Sequence, residues 1–202
     1  MKQNNGETEA QYTDPMYTPD NAGQSFRLTL YGWLQPLVFA LAFMILLSIF
    51  VVRNIGVEGE SMMPTLLNQD MLLLQRIGYT PVQGDVVVLT QRSFSDSPIV
   101  KRVIAKGGQI VDIDYDANTV TVTDADGTQT VLDEPYLGEP MRRPLTYNTR
   151  IVVPEGSICV LGDNRNNSTD SRSPSIGTVD ERCVLGRAVL ILLPFQRFGV
   201  IH

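Results

Sequence analysis

Histidine is almost absent from this chain of 202 residues: the single imidazole is that of His202, the last residue. No interior imidazole exists to take a proton from a nucleophile or to ligate a metal, which excludes Ser-His-Asp and Cys-His mechanisms. Cysteine is nearly as scarce. With only Cys159 and Cys183, zinc sites built from His and Cys are excluded too, and neither a metal nor any other cofactor is expected. Lys and Arg form no run and the net charge is -6, so the chain lacks the electrostatic footprint of a nucleic-acid binder. Charged residues amount to 19% against 43% hydrophobic, too few for a coiled coil and too apolar for a disordered chain. The length fits one or two compact units.

One long stretch lacks charge altogether. From Leu28 to Val52 the chain reads LTLYGWLQPLVFALAFMILLSIFVV, bounded by Arg27 and Arg53, and a bilayer core needs about 20 such residues as a helix. Tyr31, Trp33 and Pro36 lie at one end, where an aromatic belt would sit. A buried core helix is the competing reading. A cleavable secretory signal fits less well, because a polar tail precedes the stretch and no A-x-A pattern follows it. We expect a membrane anchor over 28–52, preceded by a tail, 1–27, whose Gln, Asn, Thr and Pro cannot form a core and which is expected to be disordered. Arg27 and Arg53 balance, so the positive-inside rule leaves the orientation open.

Beyond the anchor, residues 53–202 read as β-structure. MLLLQRI, GDVVVLT, IVKRVIA, QIVDIDY, NTVTVTD, TQTVLD, TRIVVP, SICVLGD and RAVLILLPF are short β-branched runs separated by Gly, Pro, Asp and Asn, which predicts a mainly β domain of about nine strands. Hairpin turns are expected at Asp116-Ala117-Asn118 and Asp124-Ala125-Asp126-Gly127. Asp112, Asp114 and Asp116 imitate the start of a calcium loop. However, Ala117 stands where that loop requires Gly and Thr123 where it requires Glu, so they read as the solvent face of a hairpin strand.

Three segments carry possible chemistry. Gly59-Glu60-Ser61-Met62-Met63-Pro64-Thr65-Leu66 is a turn with a serine beside two methionines, and Ser61 alone could be an ordinary turn residue. In Ile99-Val100-Lys101-Arg102-Val103-Ile104, strand periodicity puts Ile99, Lys101 and Val103 on one face. Lys101 either snorkels to water or is buried, and burial can lower a lysine pKa by roughly 3–5 units, enough to make it a base. The third segment, Gly162 to Arg172 (GDNRNNSTDSR), is a polar loop after an apolar strand, a functional element or a solvated turn, with formal glycosylation sequons at Asn166 and Asn167.

In this order and behind one anchor, SMMPTL, GDVVVL followed by VKRVIAKGG, and GDNRNNSTDSR resemble the boxes of bacterial type I signal peptidase. DEPYLG at 133–138 and the closing VLGRAVLILLPF are similar too, so the resemblance spans about 28–195. It implies an antiparallel β-sheet catalytic domain behind one N-terminal transmembrane helix, with a β-hairpin insertion near 112–147. It implies Ser61 as nucleophile and Lys101 as general base, Ser168 as the hydroxyl that orients the amine, Asp170 and Arg172 as an ion pair near the site, and Asp163 and Arg102 as structural positions. The tail would be cytoplasmic and the domain 53–202 extracytoplasmic, on the cell membrane.

The implied partners are the lipid bilayer and signal-peptide-bearing pre-proteins, cut after small residues of Ala-x-Ala type. Met62, Leu66, Ile99 and Val100 are candidates for the substrate pocket, each equally explained as core, and a rim near Met62 and Met63 would dip into lipid. The Ser61 N–H is the expected first oxyanion donor. Where some members of the family place a serine two residues earlier, this chain has Gly59, as in the Gram-positive-type branch, which leaves the second donor open. Cys159 and Cys183 would be either a disulfide or buried free thiols. Two other readings stand beside this one. A specialised serine-lysine processing enzyme, akin to pilin-transfer peptidases or self-cleaving repressors, shares the chemistry, although the anchor and acidic charge argue against a repressor. A catalytically silent, membrane-tethered β module that binds exported chains would be marked by loss of Ser61 or Lys101, and both are present.

Overall fold

A computed structural model describes residues 21–50, 52–90, 97–142, 144 and 146–201, without the side chains of 21–30, 46–50 and 52–54. The chain divides at residues 45/46 into an N-terminal unit and a β unit. The helix α1 spans Asn21–Phe50, with Pro36 inside it. It starts at Asn21 rather than Leu28 because no proline intervenes before Pro36, and it stops before Val52, which opens the first strand instead of closing the span. Residues 1–20 of the expected tail lie outside the described residues. From Tyr31 to Ile45 every side chain of α1 is exposed. Among the described residues no helix is long and apolar enough to cross a membrane. The stretch 31–45 rises only about 22 Å, against a hydrocarbon core of roughly 30 Å.

The β unit holds β1 (Val52–Gly56), β2 (Met71–Gln75), β3 (Val86–Leu89), β4 (Ile99–Lys106), β5 (Ile110–Asp114) and β6 (Thr119–Thr123). It continues with β7 (Gln129–Val131), β8 (Arg150–Val152), β9 (Ser157–Leu161), β10 (Val179–Asp180), β11 (Val184–Leu193) and β12 (Gly199–Val200). The larger sheet runs β1-β2-β11-β3-β4-β9-β10 with β12 on β11, and the smaller runs β7-β6-β5-β8. Every described pairing is antiparallel. All nine apolar runs become strands. The smaller sheet begins at Ile110 and is completed by β8, so the insertion is wider than the expected 112–147: Ile110 and Val152 pair in register and carry the sheet past that boundary.

Apolar burial sets where the site sits. The runs VVVL of β3 and IVKRVIA of β4 are buried on both faces, as continuous apolar runs require. Val86, Val88 and Val100 pack in one cluster with Met62, Leu66, Leu72 and Leu74. Val87, Leu89, Val103 and Val160 pack in another. A third cluster joins the two sheets through Ile104 and Cys159 from the larger and Val111, Val120 and Ile151 from the smaller. Fully burying one such side chain contributes about 1.5–3 kcal/mol. β4 is thereby an interior strand of the larger sheet, hydrogen-bonded to β3 and β9 and covered on both sides.

Candidate active site

The turn between β1 and β2 carries Ser61. It is fastened at its base by the Val57 N–H donating to the Asp70 carbonyl at 2.8 Å and the Gln69 N–H donating to the Val57 carbonyl at 2.8 Å. Its far side is held by Arg197, which donates to Asp70 and to the Thr65 carbonyl. Met62 and Leu66 sink into the core, which leaves Ser61 half-buried at the surface. Gly59 sits at φ +89°, a left-handed conformation glycine adopts without a steric penalty, and its N–H donates to Asn68 Oδ1 at 3.1 Å.

Lys101 lies in the middle of β4, opposite Val87, and is 4% exposed. Its Nζ is 2.6 Å from Ser61 Oγ. Burial pulls the ammonium from its usual value down to about 8, against Asp170 and Asp163, which raise it, and with Arg172, which lowers it. Burial is the largest of these because a charged group loses hydration in the interior. The arrangement therefore supplies a hydroxyl and an amine in direct contact, the amine neutral in a substantial fraction near physiological pH.

The loop after β9 is held, among the described residues, by three buried arginine–carboxylate pairs. Arg102 donates Nε to Asp163 Oδ1 at 2.9 Å and Nη2 to Oδ2 at 2.7 Å, and Thr65 donates its hydroxyl to the same carboxylate at 2.5 Å. Arg172 donates to Asp170 through Nε and Nη2, both at 2.8 Å, and Asp170 also accepts the Gly162 N–H at 3.0 Å. Arg165 forms a fork with Glu134 and donates Nε to the Gly162 carbonyl at 3.1 Å. Each pair is hydrogen-bonded as a buried charge must be. The loop in turn grips the Ser61 turn: the Asn164 N–H donates to the Ser61 carbonyl at 3.0 Å and Asn164 Nδ2 to the Glu60 carbonyl at 3.1 Å.

Ser61, Lys101, Asp163, Arg102, Asp170 and Arg172 are thus gathered in one place. Ser168 is there too. A Cβ on Gly162 would collide with both its hydroxyl and the Ser61 carbonyl. Its buried Oγ nevertheless makes no hydrogen bond among the described residues, so the expected bond to Lys101 is not formed here. Met62, Leu66 and Val100 are buried core residues and Ile99 is half-buried against the neighbouring cluster. Cys159 and Cys183 are free thiols, and burial pushes the Cys159 thiol up to about 12. At the hairpin, Asp112 accepts Arg150, and Asp114 accepts the N–H groups of Asp116 and Ala117. No cluster of three or more potential metal ligands occurs among the described residues. The pairing of Glu134 with Arg165 could not be foreseen, because the two are 31 residues apart and only the fold joins them.

Residues 30–193 match the family described as Signal peptidase, peptidase S26. A Synechocystis protein named "Probable signal peptidase I-1" is 34% identical over 174 residues, 81% of this chain and 82% of the relative. Signal peptidase IB of Staphylococcus aureus is 30% identical over 187 residues, 84% of this chain and 92% of the relative. Signal peptidase I of Bacillus amyloliquefaciens is 29% identical over 178 residues, 83% of this chain and 88% of the relative. Among solved structures, a signal peptidase I from Enterococcus faecalis is 25% identical, with a TM-score of 0.41 over 54% of this chain and 97% of that one.

Proposed function

The chain belongs to the signal peptidase family, peptidase S26, as an endopeptidase that removes signal peptides, and we propose that it does so through Ser61 as nucleophile and Lys101 as general base. The observation that carries this reading is the contact of 2.6 Å between a buried lysine amine and the serine hydroxyl. Neutral Lys101 takes the Ser61 proton as Oγ attacks the scissile carbonyl. The same amine, now protonated, delivers that proton to the leaving amine, and an acyl-enzyme forms. Water deprotonated by Lys101 then releases the acyl group. The backbone N–H of Ser61 stabilises the oxyanion, a donor worth about 2.7–4 kcal/mol in related chemistry.

The hydroxyl of Ser168 orients the amine. It is buried, has no hydrogen-bond partner among the described residues and packs with the Ser61 carbonyl against Gly162, so it is available when the amine turns from Ser61. Asp170 and Arg172 set the charge around Lys101, and Asp163 and Arg102 tie the loop to β4 and to Thr65. Met62, Leu66 and Val100, which share one core cluster, form the floor of a shallow pocket for the small residue before the cut, with the half-buried Ile99 at its edge. The substrates are pre-proteins cut after Ala-x-Ala type sequences.

The anchor is the uncharged part of α1, from Leu28 to the end of the helix at Phe50, with the tail cytoplasmic and the β unit outside. The exposure of its apolar side chains from Tyr31 to Ile45 supports this reading, since a helix apolar all round requires an apolar environment. The test is incubation of the purified full chain in detergent micelles with a labelled pre-protein, beside Ser61→Ala. The parent should release the signal peptide and the variant should not. Equal processing by both would remove the serine mechanism.

A further inference from the structure

The segment from Asp133 to Met141 belongs to the insertion, yet it runs past the active site. A Cβ on Gly138 would lie 3.4 Å from Pro64 Cδ, so the segment touches the nucleophile turn. The Tyr136 ring lies 3.9 Å beneath the Arg102 guanidinium. Between them Glu134, its side chain 6% exposed, accepts the Arg165 fork and the Tyr136 hydroxyl, the latter at 2.7 Å. A carboxylate so far from water is retained only when its oxygens are filled, and here every donor that fills them comes from a residue that touches the site.

The consequences converge on Gly162. Its N–H is held by Asp170 and its carbonyl by Arg165. Its Cα lies against the Ser61 carbonyl and the Ser168 side chain, with no room for even a methyl group. Arg165 is fixed in turn by Glu134 and by a contact of 3.4 Å to Met141 Sδ, and its carbonyl accepts Arg172 Nη2 at 2.8 Å. A displacement of Arg165 must therefore move the Gly162 peptide, and with it the backbone of the nucleophile.

We propose that Glu134 is a positioning residue of the Ser61–Lys101 pair, acting through Arg165 on the Gly162 peptide and through Tyr136 on Arg102. The inference rests on the serine-lysine reading above. It differs from a merely stabilising ion pair in what it controls, namely the distance between hydroxyl and amine and the exclusion of water from Lys101. The groups whose charges act on Lys101 are Asp170, Asp163 and Arg172, and Glu134 reaches it only through geometry.

The experiment compares the full chain in micelles with its Glu134→Gln and Arg165→Lys variants, by kcat, KM and the pH profile of kcat/KM on a labelled pre-protein, with Ser61→Ala alongside. Glu134→Gln keeps the size but loses the second strong acceptor. Arg165→Lys keeps the charge but cannot hold Glu134 and the Gly162 carbonyl together. Both should lower kcat about tenfold, on the scale of lost outer hydrogen-bond partners of a reactive site, with KM within about twofold. The acid limb of the profile should move to higher pH as water reaches the amine. Parental kcat and an unmoved limb in both variants would overturn the proposal, whatever happens to their unfolding temperatures. Should Glu134→Gln not fold, Tyr136→Phe, which removes one hydroxyl and keeps the ring, should show a smaller fall in kcat of the same kind, and parental kcat there would overturn it equally. Activity in Ser61→Ala would sink the serine reading itself, whereas an inactive Ser61→Ala beside fully active Glu134 and Arg165 variants would sink the positioning role alone.

Discussion

Asp170-Ser171-Arg172 and Asp180-Glu181-Arg182 are the same local device in two places. In each, the arginine folds back on the carboxylate two residues earlier and donates through Nε and Nη2, at 2.8 and 2.8 Å in the first and 2.9 and 2.6 Å in the second. Their surroundings differ completely. Arg172 and Asp170 have fully buried side chains, while Arg182 is 88% and Asp180 40% exposed. The exposed pair caps a single helical turn and otherwise faces water, where screening leaves an ion pair little to contribute. The buried pair receives the Gly162 N–H, donates to the Arg165 carbonyl, lies 5.2 Å over the Tyr147 ring and acts on Lys101. The motif makes the pair, and what the fold packs around it makes it matter.

Four substitutions test that contrast. The largest effect belongs to Lys101→Met, which removes the amine that both buried charges face and should abolish processing of a labelled pre-protein. It should not unfold the chain. The folded amine titrates near 8 and the unfolded one near 10.5, so the unfolded chain binds more protons between those values and stability rises with pH across that window. Below about 8 the penalty of burying the ammonium is complete, roughly 3 kcal/mol. Lys101→Met should therefore match or exceed the parent in denaturant unfolding at pH 7, and lose that advantage between pH 8 and 10.5. An unfolded Lys101→Met would recast Lys101 as a structural charge.

Arg172→Ala comes next. It strands the Asp170 carboxylate in the interior, which typically costs about 3–5 kcal/mol, and a chemical-denaturation midpoint equal to the parent's would refute the burial argument. Asp170→Asn is milder in shape but removes the strongest neighbour that raises the Lys101 amine and leaves Arg172, which lowers it. Activity that requires the neutral amine rises with pH through its pKa, so the acid limb of kcat/KM should move to lower pH. A shift in the opposite sense would show that hydration, not charge, governs the amine there. Arg182→Ala should leave the unfolding midpoint and the pH profile indistinguishable from the parent, and any change in the profile would mean that the outer pair also reaches the site.

Strands buried on both faces, β3, β4 and β9, were legible as unbroken apolar segments, β5 and β6 by their alternation, and the two hairpin turns because Asp, Asn and Gly mark them. The strands that escaped, β1, β10 and β12, are peripheral. β10 and β12 have two residues each, too few for any period. The contact of Ser61 with Lys101, on which the proposed mechanism rests, followed from motif and chemistry together: without an imidazole, a base had to be sought among lysines, and Lys101 shares its strand with branched apolar residues. What stayed hidden was the division of labour around it. Met62 and Leu66 belong to the core as much as to any pocket, because a turn must bury something to hold its serine still. Glu134, Tyr136 and Arg165 stood within recognised motifs, but nothing local announces a pairing across 31 residues.

β4 lies between β3 and β9 in the interior of the larger sheet, whereas Ser61 rides on a turn. In terms of motion, the two halves of the proposed pair are expected to differ in local stability, the strand residue more protected than the turn residue. The strand that carries the amine is expected to open only with the larger sheet, and the turn that carries the hydroxyl to open more readily. Backbone amide exchange should accordingly be slowest around Lys101 and faster around Ser61. Substrate entry is then expected to rearrange the turn and its clasping loop more than the strand that carries Lys101.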